Sequence, residues 1–200
     1  MKRVLISVLA IGLLVGLAAL AQAASSQFES EPDKTMAAAN EAFLKGNLNK
    51  AAEHIGKAAA YVGKEADKVA KGSKEGVKKA GDALAKLGKD VKQGTVKSGD
   101  DLKKTFAAVD HALATAWHAT AEQAKKSNKD STTALKKAGT SLAGAAKWSG
   151  TQLQEGTQAS IEAVKKVGTG AGKGVKAGAD EIDKWFKGIG DGIEDVGHKL

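Results

Sequence analysis

Cysteine is absent from this chain, and proline and arginine occur once each, as Pro32 and Arg3. Without cysteine there is no disulfide staple, no thiol nucleophile and no lipid-modified cysteine. Beyond Pro32 nothing interrupts a helix by removing a backbone donor. With Arg3 inside an N-terminal segment that reads as a cleavable signal peptide, the remaining chain has no arginine, which argues against nucleic acid as a partner, because phosphate and base recognition leans on a bidentate fork that lysine cannot form. Aromatic residues are 4% of the chain, so burial at ~25 cal/mol per Å² has little large side-chain material to act on and modest stability is expected. A phosphate loop between strand and helix, a Gly-x-Ser-x-Gly elbow and a Cys-x-x-Cys-His haem attachment are also missing. A non-enzymatic protein without a cofactor is therefore expected.

The sequence is rich in alanine, lysine and glycine. Lys2 and Arg3 precede an uncharged run from Val4 to Leu20 that ends in Ala21-Gln22-Ala23. That pattern predicts a secretory signal peptide over 1–23, cleaved after Ala23, and a periplasmic or secreted mature protein. After cleavage the chain carries 29 lysines against 23 acids. The charge is mixed along the sequence, which predicts a largely solvated helix face with an attraction to anionic surfaces.

Small apolar residues recur from Ala51 to Val91, through Ile55, Ala58, Val62, Ala66, Val69, Ser73, Val77, Ala80, Leu84 and Leu87, at an average of 3.64 residues per step. This is the pitch of an α-helix, and it predicts one long amphipathic helix from about 49 to 93. A flexible leader over 24–32 and a first helix over 33–44, ending at Gly46-Asn47, come before it. A helix from about 100 to 126, capped by Ser98 with Asp101, and another from 132 towards 158 come after it. Gly168, Gly170, Gly172, Gly174 and Gly178 predict a hinge or a frayed segment. The segment Gly76-Val-Lys-Lys-Ala-Gly81 returns as Ala134-Leu-Lys-Lys-Ala-Gly139, but without the constant period of a repeat array.

Residues 42–58, with the turn Gly46-Asn47 followed by Ala51, Ile55 and Ala58, resemble the hinge of a tetratricopeptide helical hairpin, which implies a helical hairpin near 40–65. The alanine, lysine, glycine and threonine richness and the eleven-residue phase over about 50–200 resemble late-embryogenesis-abundant and apolipoprotein-like helical proteins. That likeness implies stress-protective or surface-associating helices that order on a partner.

Three histidines and one acid form a candidate metal site. His111 and His118 share a face of small residues with Glu122 one turn beyond, and His54 borders the long stripe. If the helices around 49–93 and 100–126 pack antiparallel, imidazole and carboxylate ligands converge. At the C-terminus, Ile182, Trp185, Ile189, Ile193, Val196 and Leu200 form the most concentrated apolar stripe, with Phe186 beside it. Trp185, Phe186, Ile189 and Ile193 are accordingly a candidate anchor for a membrane surface or a protein partner, with docking onto the bundle as the alternative.

These features predict an all-α protein, with an antiparallel bundle of long amphipathic helices over 33–150 and a glycine-interrupted amphipathic helical extension over 151–200. Its expected core is led by Phe43, Leu44, Tyr61, Phe106, Leu113, Trp117, Leu142 and Trp148. The expected function is association with envelope surfaces or macromolecules. A periplasmic metal- or small-ligand-binding module and an oligomerising scaffold that forms a homo-oligomer are the alternatives.

Overall fold

The computed structural model describes residues 30–167 and 178–200. The expected signal peptide 1–23, most of the expected leader and Gly168, Gly170, Gly172 and Gly174 of the expected hinge lie outside the described residues. Seven α-helices and no strand are present among the described residues, so the chain is an all-α helical bundle. The helices are α1 (Glu31–Leu44), α2 (Leu48–Ala66), α3 (Lys74–Lys92), α4 (Gly99–Lys126), α5 (Thr132–Ser149), α6 (Glu155–Lys166) and α7 (Ala179–Gly197).

Local chemistry explains most of their ends. The Ser30 hydroxyl accepts from the Asp33 N–H and caps α1, with Pro32 in the first turn where its missing donor is harmless. Asn47, two residues before the expected Asn49, caps α2 by accepting from Lys50 N–H at 3.1 Å. Ser98 accepts from Asp101 N–H, as the Ser98/Asp101 pattern predicts, while its hydroxyl, not its backbone N–H, donates to the Asp101 carboxylate. Gly46, Gly94 and Gly150 turn the chain at positive φ, a conformation glycine adopts without strain. Gly150 ends α5 at Ser149, short of the expected 158.

The long stripe does not form one helix. It breaks after Ala66, passes through a short 3₁₀ turn at Lys71–Ser73 and folds back as an antiparallel hairpin of α2 and α3. A methyl on Gly81 would lie 3.7 Å from Val62, and one on Gly88 would lie 3.4 Å from Ile55, so the two halves of the stripe face each other. Every stripe residue except Ser73 is buried. No proline or positive φ makes this break. Ala70 is extended, and its N–H donates to the Thr120 hydroxyl of α4 at 2.8 Å, so a tertiary hydrogen bond replaces the helical one lost at the turn.

The hairpin of α2 and α3 packs between α1 and α4, and α4 pairs most extensively with α5. Helices α6 and α7 pair with each other and lie across α5, with α7 also reaching α4. Phe106, Leu113, Trp117, Leu142 and Trp148 are in the core, and the Phe106 and Trp148 rings meet edge to face at 5.0 Å. Phe43 and Tyr61 are only partly buried, and Leu44 is 68% exposed because it sits on the outer side of the last turn of α1.

Candidate functional site

Two of the expected ligands, His111 and His118, lie seven residues apart on α4, and both turn toward α7. His111 Nε2 is 2.9 Å from the Ile193 carbonyl and His118 Nε2 is 3.1 Å from the Phe186 carbonyl, a second pair seven residues apart. In each contact the ring N–H donates to a carbonyl oxygen. The equal spacing, run antiparallel, makes the histidines two brackets that hold one helix. The His118 ring also meets Phe186 edge to face at 5.5 Å.

The expected metal set is not brought together. The charged groups acting on His54 are Lys57, Glu53 and Lys50 of its own helix and Glu41 of α1, and α2 packs on α1 and α3 rather than against α4. Glu122 Oε1 lies 3.8 Å from His118 Nδ1, while His111 and His118 each give Nε2 to a backbone carbonyl. No group of three or more histidine, cysteine or acidic side chains suited to a metal occurs among the described residues. The proposed convergence failed because the helix carrying His54 ends at Ala66, and α3, not α2, is the arm of the hairpin beside α4.

The candidate anchor is also placed. Phe186, Ile189 and Ile193 are buried against the bundle, and Trp185 is partly buried. Glycines allow this seat. A methyl on Gly192 would strike Thr157 of α6 and come within 2.8 Å of Leu142, and one on Gly188 would strike Ser160. Gly197 brings α7 so close to His111 that a methyl would lie 2.9 Å from Nε2. An ion pair of Lys125 with Asp183 fastens the outer edge. No helix among the described residues is long and apolar enough to cross a membrane.

Sequence reasoning missed two polar clusters. In the first, Glu65 is almost fully buried and pairs with Lys68 at 2.7 Å and with Lys137 of α5 at 2.9 Å. Burial pushes the Glu65 carboxyl up, but the hydrogen bonds from the two lysines outweigh it and leave it below the ordinary value. The Lys137 ammonium also lies 4.0 Å above the Trp117 ring, at the side of a cavity of about 370 Å³ that Tyr61, Thr133 and Thr140 help to line. The second cluster is Asp33 and Asp110. Both are buried, and Trp148 Nε1 donates to Asp33 Oδ1 at 3.0 Å. The sequence carries no signal for either pairing beyond an acidic residue at a small-residue face.

The charge distribution is the remaining feature. Residues 48–98, which contain α2 and α3, hold twelve lysines and six acids, whereas the rest of 24–200 holds seventeen of each. Charge that looks mixed residue by residue is segregated once the hairpin is recognised. Lys71, Lys78, Lys89 and Lys92 are exposed and outside the ion pairs of the hairpin. Lys89 and Lys92 border a groove of about 560 Å³ whose walls include Ala52, Gly56, Ala59, Ala85 and Gly88. In comparisons with known proteins, no family model, no curated protein and no solved structure matches this chain.

Proposed function

We propose that this is an exported, non-enzymatic helical protein that associates with anionic envelope surfaces, with stress protection as its physiological setting, and that the α2–α3 hairpin is the face that makes contact. The observation that carries this reading is the segregation of charge: the whole net positive charge of residues 24–200 falls within 48–98. The exposed lysines there present ammonium groups on flexible stems to a diffuse anionic layer, a task that needs no arginine fork. At about 1 kcal/mol per basic residue close to an anionic membrane, four lysines contribute ~4 kcal/mol, roughly a thousandfold in partitioning.

The contact face is moved from the C-terminal stripe to the hairpin because Phe186, Ile189 and Ile193 already face the bundle. Use of that stripe as an anchor would require α7 to leave its seat.

Flotation with phosphatidylglycerol vesicles tests the reading, with phosphatidylcholine vesicles as the neutral comparison. The full chain should float with the anionic vesicles only and lose recovery as salt is raised. Lys71→Gln, Lys78→Gln, Lys89→Gln and Lys92→Gln combined should abolish recovery without changing the circular dichroism. Equal recovery of the wild type and the quadruple variant would refute the hairpin as the contact face.

A further inference from the structure

Asp33 of α1 and Asp110 of α4 meet where Gly144 of α5 leaves a notch. A methyl at Gly144 would lie 2.6 Å from Asp110 Oδ2 and 2.7 Å from both Asp33 oxygens, so the two carboxyl groups press on the same spot. Asp33 has its donors: the Trp148 ring N–H serves one oxygen, and the Ser30 hydroxyl serves the other. Asp110 has none. It is fully buried and neither of its oxygens has a partner in hydrogen-bond geometry, the Trp148 ring N–H being engaged by Asp33 and acting on Asp110 only as a minor influence. An ionised Asp110 would be a bare charge beside a second negative charge in the buried interior, an unfavourable arrangement. One proton on Asp110 removes the repulsion and supplies a donor to Asp33, as in other carboxyl pairs that hold a single proton between them.

We propose that Asp33 and Asp110 form a site for one shared proton, and that this proton fastens α1 to α4 and α5, giving a fold that acid tightens and alkali loosens.

The surroundings leave the pair alone with that proton. Of the helices packed on α4, α1 brings Asp33, and α5 brings Gly144 and the Trp148 ring. Helix α7 meets α4 at His111 and His118 through its own carbonyls, and no charged group of α3 or α7 acts on Asp110. Burial pushes the Asp110 carboxyl well above the ordinary value, the Asp33 charge pushes it the same way, and the opposing pull of the Trp148 ring N–H is smaller than either. The sign follows from proton linkage. The folded chain holds a proton that the unfolded chain releases above its ordinary aspartate value near 3.8. The stability supplied by the pair is therefore complete below that value and lost as pH rises to the held one. Glu65 acts oppositely, but only as pH falls below about 4.5, its ordinary value. His54, held below its ordinary value mainly by burial, also acts oppositely, below about pH 6.5.

The test is urea unfolding of the full chain from pH 4 to 9 for the wild type, Asp110→Asn and Asp33→Asn. An asparagine at 110 keeps the shape and supplies a permanent amide donor to Asp33. Between the free and the held aspartate values the wild-type unfolding constant should rise by up to about tenfold per pH unit. Asp110→Asn should lack that rise, and Asp33→Asn, which removes the neighbouring charge but leaves Asp110 buried, should shift its end to lower pH. Because Glu65 and His54 are present in all three proteins, the difference between profiles isolates the pair. Parallel profiles for the wild type and Asp110→Asn would overturn the proposal. Carboxyl carbon resonances of ¹³C-aspartate in the wild type provide a reading that does not depend on either variant folding. One aspartate should titrate well above the others, and ordinary titration of all of them would overturn the proposal. Magnesium and calcium should leave the alkaline midpoint unchanged. A stabilisation by either ion that Asp110→Asn abolishes would replace the proton with a metal ion.

Discussion

Gly56, Gly63 and Gly76 of the α2–α3 hairpin and Gly144, Gly188 and Gly192 of the α5–α7 layer occupy helices of similar composition, yet they do opposite things. Gly56, Gly63 and Gly76 have nothing within 4 Å of where a methyl would stand. There the residue leaves backbone exposed and weakens the helix. Gly144, Gly188 and Gly192 are places where another element enters the space a side chain would fill. The hairpin consequently presents an open, lysine-bearing outer face, while α4 to α7 form a close-packed layer that holds the histidine brackets and, with Asp33 of α1, the carboxyl pair.

The strongest way to break this contrast is to add one methyl on the packed side. Gly192→Ala should lower stability by about 2–3 kcal/mol, since Thr157 and Leu142 must both give way. Thermal denaturation checks it, and an unchanged midpoint would mean that α7 is not seated as described. Replacing the brackets should have the next largest effect. His111→Ala with His118→Ala removes two hydrogen bonds to α7 at about 1 kcal/mol each. Hydrogen exchange should then accelerate in residues 179–197 and remain slow in α2 and α3.

On the open side the sign reverses. Gly56→Ala and Gly63→Ala should each raise stability by about 0.5–1 kcal/mol, because a methyl enters solvent and restricts the unfolded chain. The same denaturation series measures this gain, and a loss at either position would contradict the openness of that face. The smallest effect belongs to the ion pair that joins the two regions. Glu65 is held below its ordinary value, so its contribution is present above about pH 4.5 and is lost as pH falls through the held value. Glu65→Gln should reduce the fall of the thermal midpoint on the acid side and leave the slope above pH 5 unchanged.

Several of these elements were legible in the residues. Ser98 with Asp101, the Gly46-Asn47 turn and the 3.64-residue stripe place helix starts, a turn and the buried face, because capping and amphipathicity act over a few residues. The stripe concealed its own break. Spacings of three and four continue through Val69 and Ser73, so periodicity is the same for one straight helix and for two that fold together. His111 and His118 stood out for their shared face, but their role depends on carbonyls 82 and 68 residues away. Asp33 and Asp110 gave no sign at all, because an acid looks alike in solvent and in a sealed notch until its neighbours are known.

By itself, the sequence determined that the chain is helical, which faces are apolar, and that it has no cysteine and a single arginine. These properties follow from side-chain identity and from contacts within about one helical turn. Only the tertiary structure decided that the Ala51–Val91 stripe folds back on itself between α1 and α4, that the C-terminal stripe faces the bundle, and which glycines are gaps and which are contacts. Those outcomes depend on groups distant in the chain meeting at van der Waals or hydrogen-bond distance, where one methyl or one proton changes the balance.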